Sequence, residues 1–92
     1  MSDVQHDPET QEFFIETPQG KAILHYEKEE GALNFHHTFV PPELRGQGLA
    51  EKVVFAGFDY AAKHNLKVIP SCPYVARLAM KNDRLKPLIK RT

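Results

Sequence analysis

The stretch Val40–Val53, VPPELRGQGLAEKV, decides the fold because the periodicity of the chain changes within it. Before it, apolar and polar residues alternate with a period of two, which indicates a strand. After Gly48, apolar residues recur at helical spacing as far as Asn65. Gly46 and Gly48 therefore lie between a strand and an amphipathic helix. The start of a helix presents unpaired N–H groups and a positive dipole end, both of which favour phosphate.

The glycine segment by itself leaves two interpretations open. It is not a P-loop, because no Gly-Lys-Ser/Thr follows, and it is not the dinucleotide fingerprint, because Ala50 and Glu51 follow where a third glycine is required. Arg45 adds a positive charge that can pair with an anion. From spacing alone, both an ordinary strand-to-helix turn and a phosphate-binding loop fit.

The flanking residues predict an α/β protein (an α+β mixed sheet) with the order β-β-β-α-β-α. Short turns join the first three strands into an antiparallel meander, and the helical crossover makes the last two strands parallel. Residues 1–10 are expected to form a flexible N-terminus, followed by a single domain over residues 11–92. The predicted strands are 12–17, 21–29, 32–40 and 66–70, and the predicted helices are 48–65 and 73–82.

Composition indicates an ordinary small globular protein. The chain has 92 residues, of which 41% are hydrophobic and 26% charged. The single cysteine, Cys72, excludes an internal disulfide and thiolate zinc clusters. The polar, acidic N-terminus is not a signal peptide, and no apolar run reaches the roughly 18–20 residues of a membrane helix. We therefore expect a cytoplasmic protein without membrane contact.

The net charge of zero conceals an asymmetry along the chain. Residues 1–62 carry 4 Lys and Arg against 11 Asp and Glu, whereas residues 63–92 carry 8 against 1. The basic end can neutralise the acidic part, attract an anionic ligand or bind nucleic acid. Aromatic residues are sparse among the basic positions, which argues against nucleic acid.

Residues 45–50, RGQGLA, resemble the Arg/Gln-x-x-Gly-x-Gly/Ala motif of the GNAT (GCN5-related N-acetyltransferase) superfamily. Arg45, Gly48 and Ala50 occupy the three marked positions. Two longer stretches, HTFVPPELRGQGLA and KVIPSCPYV, resemble the small YjdJ-type branch of single-domain proteins within this superfamily. This resemblance covers residues 12–82. It implies a reduced GNAT-like fold whose parallel strands splay around acetyl-CoA or coenzyme A. It also implies a β-bulge near residues 38–40 that opens the cleft.

The resemblance further implies which residues hold the cosubstrate. Backbone N–H groups of residues 46–50 would bind the pyrophosphate, and the end of the preceding strand would pair along the pantetheine arm. The larger enzymes have two additional helices after their first strand, which often contribute the acceptor pocket and which this chain lacks. The expected cofactor-binding residues are Phe39, Val40, Arg45, Gly46, Gln47, Gly48, Leu49 and Ala50.

Three residues are candidates for the chemistry. Cys72 follows the last strand and precedes a helix start, a position that favours a thiolate, although a buried and inert cysteine also fits. His37 is its expected partner, since a histidine in hydrogen-bond reach would activate the thiol. By alternation His37 shares a face with Leu33, Phe35 and Phe39, so a core histidine with satisfied hydrogen bonds also fits. Tyr74 is the alternative acid that the resemblance implies for the coenzyme A thiolate. Adjacent His36 and His37 face opposite sides of a strand, so no metal site is predicted.

These observations lead to two hypotheses about function. The first is an acetyl-CoA-dependent N-acetyltransferase acting on an unidentified small-molecule or peptide amine, either directly or through an acylated Cys72. The alternative is a non-catalytic coenzyme A or acyl-CoA-binding regulatory module. A nucleic-acid-binding module that uses the basic end is a weaker third. The chain is expected to be a monomer or a weak homodimer formed through exposed Phe55 or Phe58.

Overall fold

A computed structural model describes residues 4–90. Within that range, the strands form one five-stranded sheet in the order β1-β2-β3-β4-β5, with two α-helices and two short 3-10 helices. The strands are β1 Gln5–Asp7, β2 Glu12–Thr17, β3 Gly20–Glu29, β4 Ala32–Phe39 and β5 Lys67–Ile69. The helices are α1 Leu49–Lys63, α2 Pro73–Lys81 and the 3-10 helices Pro42–Leu44 and Lys86–Leu88.

The parallel pairing of β4 with β5 confirms the mixed α/β fold. Their ladder is short and ends at Asn34 opposite Ile69. Beyond it, the Cys72 N–H donates to the Phe35 carbonyl at 2.9 Å. The remainder of β4 continues in its pairing with β3 alone. Because β5 ends at Ile69, the later part of β4 has no parallel neighbour, and this open edge lies toward the carboxyl ends of the two strands, where open α/β sheets usually bind ligands.

Helix α1 packs closely on the sheet at Gly57. A Cβ atom at this position would lie 2.7 Å from Phe35 Cζ and 3.0 Å from Leu24 Cδ2. Around this contact the buried core combines the inner face of the sheet with the α1 residues Leu49, Val53, Val54, Phe58 and Ala61. The helical period that starts at Gly48 therefore marks the buried face of α1, as predicted.

The prediction of a flexible N-terminus is corrected for residues 5–7, which form the edge strand β1 against β2. The missed signal is His6, whose ring stacks on Phe13 with centroids 4.2 Å apart and hydrogen-bonds the Tyr26 hydroxyl. An aromatic platform rather than an apolar alternation holds this strand, so its sequence pattern is weak. Residues 1–3 lie outside the described range.

The β-bulge lies earlier in β4 than the resemblance implied. His25 pairs with His37 while Tyr26 pairs with Phe35, so His36 is the additional residue in β4. A bulge of this kind reverses which side chains face the core beyond it. Thr38, opposite the buried Leu24, consequently lies on the core face.

The aromatic residues offered for a weak dimer are not exposed on α1. Phe58 is fully buried and makes an edge-to-face contact with Phe35, with ring centroids 5.5 Å apart. Phe55 is half-buried and packs against the core. Burial removes the basis on which that dimer was predicted.

Both helices are short, with 15 residues in α1 and 9 in α2. Across residues 4–90, no helix has the length and apolar character needed to cross a membrane. The cytoplasmic location stays a prediction.

Candidate functional site

A surface cleft of about 350 Å³ lies where β4 ends and α1 begins. The loop between these elements forms one wall, and the first turn of α2 contributes Tyr74 to the other. The lining residues are Val40, Leu44, Arg45, Gly46, Gly48, Leu49, Ala50, Glu51 and Tyr74.

Two glycines shape the loop wall of the cleft. Gly46 and Gly48 have φ angles of 86° and 75°, a left-handed conformation that favours glycine. Gly48 is also the N-cap residue of α1, and no side chain caps the helix. A Cβ atom at either glycine would meet no protein atom within 4 Å. Their conformation therefore reflects the backbone path and leaves the space in front of the loop open.

The backbone of this loop presents a row of available donors. Within residues 4–90, the N–H groups of residues 46–51 have no backbone acceptor, and pairing resumes where the Lys52 N–H donates to the Gly48 carbonyl at 3.2 Å. Arg45 is exposed beside them. Consecutive free N–H groups at a helix N-terminus suit a phosphate or pyrophosphate. These residues fit the pyrophosphate of coenzyme A.

Tyr74 is held as a neutral phenol at the other wall. Burial raises its pKa, and the nearby Glu51 carboxylate and Cys72 add to the rise by disfavouring a phenolate. Tyr74 is half-buried and lines the cleft, so the cleft wall there carries a protonated phenol.

Cys72 is not among the residues that line the cleft, and only 7% of its surface is exposed. Its Sγ is 3.4 Å from Thr38 Oγ1. Burial raises the pKa of the thiol, but interactions with the Thr38 hydroxyl and with backbone N–H groups of Val75, Tyr74 and Thr38 more than offset this, and the pKa falls below its usual value. Cys72 is the N-cap residue of α2, and its side chain makes no capping hydrogen bond.

The structure does not bring His37 to Cys72. His37 is exposed and pairs with His25 across the sheet, on the face opposite the buried Leu24 and Tyr26. The bulge at His36 is the reason, since it places Thr38 where simple alternation would place His37. The predicted cysteine–histidine pair is therefore replaced by a cysteine–threonine pair.

Most of the predicted cofactor-binding residues lie together. Gln47 is exposed and Phe39 lies on the outer face opposite Ile23, 45% exposed, so neither side chain lines the cleft. The remaining six predicted residues all line it: Val40, Arg45, Gly46, Gly48, Leu49 and Ala50. Their contacts with a cosubstrate stay predictions.

Two residues of the site were not found from the sequence. Thr38 could be recognised only by locating the bulge, which no local pattern marks. Glu51 could have been found from the sequence, because it lies in the first turn of the helix whose N-terminus is predicted to bind an anion. A carboxylate at that position affects where the anion can bind. It lines the cleft beside Tyr74.

The outer face of the sheet carries a histidine pair. His25 Nδ1 and His36 Nε2 are 2.9 Å apart, and Glu27 Oε2 is 3.9 Å from His36 Nε2. Among the side chains described by the structure, no three His, Cys, Asp or Glu residues are grouped so as to hold a metal ion.

Comparison with known proteins places this geometry in a family. The family model described as GCN5-related N-acetyl-transferase matches residues 12–88. Protein NATD1 of Xenopus tropicalis is 28% identical over 93 residues, covering 91% of this chain and 85% of its own. Protein NATD1 of Danio rerio is 29% identical over 82 residues, covering 86% and 74% respectively.

A solved structure agrees with these relatives. The NMR solution structure of a GCN5-like protein from Staphylococcus aureus superposes with a TM-score of 0.76 at 27% identity, covering 100% of this chain and 93% of that one. The family match spans both the open loop at α1 and the parallel strands behind it. This chain belongs to the GCN5-related N-acetyltransferase family.

Proposed function

We propose that this protein binds acetyl-CoA and transfers its acetyl group to an amine. The observation that carries the proposal is the row of free N–H groups at residues 46–51, which opens onto a cleft shared with Tyr74. Membership of an N-acetyltransferase family supports acetyl transfer as the reaction class. We propose further that the amine belongs to a small molecule or a peptide and that the protein acts in the cytoplasm.

The pyrophosphate would be bound by the loop between β4 and α1. The N–H groups of residues 46–51 supply donors and the dipole of α1 supplies positive potential. Arg45 adds a full charge at the edge of the cleft. Glu51 lies on the same wall and disfavours anions beside Tyr74. The phosphates are therefore expected nearer to Arg45 than to Glu51.

Tyr74 is the proposed proton donor. Acetyl transfer forms an amide C–N bond and breaks the thioester C–S bond, so the sulfur gains a proton and the amine loses one. Tyr74 carries its proton at neutral pH, since its pKa is raised above the ordinary tyrosine value, and the departing thiolate would be the base that takes it. Cys72 is buried outside the cleft lining, which favours direct transfer over an acylated Cys72.

A pair of nearly isosteric substitutions at Ala50 tests binding. Ala50 lies in the first turn of α1 and lines the cleft, half-buried. Ala50→Asp should suit the helix dipole, yet its carboxylate should repel the pyrophosphate. By calorimetric titration, we expect Ala50→Asp to bind acetyl-CoA at least about 10-fold more weakly than Ala50→Asn, a difference of about 1.4 kcal/mol.

Equal affinities in the two variants would refute the placement of the pyrophosphate. Absence of acetyl-CoA binding by the unchanged protein would refute the proposal as a whole.

The non-catalytic alternative is motivated by the acceptor side of the site, because within residues 4–90 strand β2 is followed directly by β3 and the two helices that often contribute the acceptor pocket in larger enzymes are absent there. A panel of small amines and peptides, with release of the free coenzyme A thiol as the readout, separates the two functions. Amine-dependent release that Ala50→Asp reduces supports the transferase. Tight binding without release for any amine supports the regulatory module.

A further inference from the structure

The outer face of the sheet carries an apolar row that neither α-helix covers. Buried residues of α1 and α2 belong to one core cluster with Leu24 and Phe35, on the inner face. On the outer face, strand pairing aligns Phe14, Ile23 and Phe39 across β2, β3 and β4. We call these three residues the outer row. Phe14 and Ile23 are half-buried and Phe39 is 45% exposed, so the outer row is an apolar surface that can contact a ligand.

One end of the outer row already holds an ammonium group. Lys21 Nζ lies 4.6 Å from the centre of the Phe14 ring, which is a cation–π contact. At the other end, no cation from residues 4–90 lies over the Phe39 ring. An exposed aromatic ring is therefore available for a lysine or arginine side chain supplied by another molecule.

Carboxylates flank the outer row on both sides. Glu16 lies on one side, opposite Lys21, and Glu12 lies on the other, opposite His25. Among the side chains of residues 4–90, neither carboxylate has a cationic partner within ion-pair distance. Glu12 accepts a hydrogen bond from the Thr10 hydroxyl at 3.3 Å, which leaves its charge uncompensated. Charge complementarity therefore favours a cationic ligand on this face.

The outer row ends at the cleft. Phe39 is the last residue of β4, and the next residue, Val40, lines the cleft together with Tyr74. We propose that the outer row, with Glu12 and Glu16, binds the basic side chains next to the acetylated amine of a peptide acceptor. The amine itself would enter the cleft beside Val40. This inference rests on the proposed function and gives the acceptor a chemical class and a docking surface.

The occupant is a peptide because this face combines two kinds of contact. The outer row requires apolar or planar groups, whereas the carboxylates beside it require positive charge. Successive outward positions on a strand are about 7 Å apart, a distance that neighbouring side chains of an extended peptide also span. A peptide with arginine or lysine residues meets both requirements. A free polyamine carries charge without side chains that can cover the row.

The test titrates the protein, saturated with coenzyme A, with short peptides by calorimetry at pH 8 and low ionic strength. Each peptide has blocked ends and one lysine, whose neighbours on both sides are either arginine or glutamate. Spermidine is the non-peptide probe. The arginine peptide should bind at least about 10-fold more tightly than the glutamate peptide, and added salt should diminish this preference.

Two double variants remove equal charge from different places. Glu12→Gln/Glu16→Gln removes the carboxylates beside the outer row and should reduce the preference to less than about 3-fold. Glu9→Gln/Glu30→Gln removes two exposed carboxylates from turns outside the strands and should retain the preference. If net charge alone attracted the peptide, the two double variants would act alike.

A substitution at Lys21 should act in the opposite direction. Lys21→Gln removes the cation that the outer row already holds, so the arginine peptide should bind about 2-fold more tightly. Lys28→Gln is the matched control, because Lys28 is exposed and pairs with the inward-facing Leu33. Weaker binding in Lys21→Gln than in Lys28→Gln would contradict the inference.

Circular dichroism and thermal melts verify that the variants fold. The inference is overturned if the unchanged protein binds both peptides equally, or if Glu12→Gln/Glu16→Gln keeps the preference. It is also overturned if the two double variants lose the preference alike, or if spermidine binds as tightly as the arginine peptide.

Release of the coenzyme A thiol, measured separately with acetyl-CoA, distinguishes this inference from the proposed function. Acetyl transfer without a charge preference overturns the docking surface and leaves the transferase standing. A charge preference without transfer to any peptide supports the docking surface and contradicts the proposed function.

Discussion

At Cys72, burial and hydrogen bonding act on the thiol in opposite directions. Burial disfavours the charged thiolate, and the Thr38 hydroxyl with nearby backbone N–H groups favours it more strongly. The side chain that decides the outcome is thus Thr38, 3.4 Å from the sulfur, rather than the histidine next to it in the sequence. When the thiol is ionised, Thr38 must be the donor.

Thr38→Val should raise the pKa of the Cys72 thiol, because the substitution removes a hydrogen bond that favours the thiolate. The rate of alkylation by iodoacetamide as a function of pH measures this shift. The midpoint should move to higher pH in the variant. Thr10→Val, at an exposed turn, is the control and should leave the midpoint unchanged. A midpoint that does not move in Thr38→Val would contradict the assigned role.

At the scale of elements, the contact between α1 and the sheet depends on a glycine in the middle of the helix. Glycine lowers helix stability by about 1 kcal/mol relative to alanine, so its presence at Gly57 requires a reason. The reason is the close approach of Phe35 and Leu24, both fully buried. A close helix–sheet contact in this core holds the start of α1 beside the end of β4.

Gly57→Ala should destabilise the protein by about 1–2 kcal/mol, because overpacking a buried contact commonly costs 1–3 kcal/mol and exceeds the gain in helix propensity. Urea unfolding measures the difference. Asp59 lies on the exposed side of α1, so Asp59→Ala raises helix propensity without introducing a clash in the core. This control variant should be neutral or slightly stabilising. If Gly57→Ala were as stable as Asp59→Ala, the close packing described here would be incorrect.

At the scale of the whole molecule, the core between α1 and the edge strand β1 is completed by a histidine rather than by aliphatic residues. His6 stacks on Phe13 and contacts the Tyr60 ring edge-on, with centroids 4.6 Å apart. Burial lowers the pKa of His6, the nearby Asp7 carboxylate partly opposes this, and His64 lowers it further. The neutral imidazole is thus the form that the folded protein prefers.

Stability should therefore decrease as the pH falls below about 6.5, the ordinary pKa of histidine. Below that value the unfolded chain binds a proton at His6 before the folded chain does, which favours unfolding. The loss of melting temperature between pH 7.5 and 5.5 should be smaller in His6→Phe, which keeps an aromatic ring but cannot be protonated. His36→Gln is the comparison at an exposed histidine. Equal losses in the unchanged protein and in His6→Phe would exclude His6 as a source of the pH dependence.

Much of the architecture follows from the sequence by itself, because it depends on local periodicity. The change of period at Gly48 determines where the third predicted strand yields to a helix, and the crossover that follows makes β4 and β5 parallel. The same segment also locates the cleft, since a helix N-terminus with two positive-φ glycines must expose its amides. The change of period and the exposed amides are both determined by residues that are consecutive in the chain.

Only the tertiary structure decided which side chains meet. The bulge at His36 reverses the facing of β4, so Thr38 instead of His37 contacts Cys72. The stacking of His6 on Phe13 turns an N-terminal segment without a clear sequence pattern into a strand, and α2 places Tyr74 beside the start of α1. Each of these outcomes depends on contacts between residues distant in the chain. Local periodicity carries no information about such contacts, because it records which face a residue occupies but not what lies opposite.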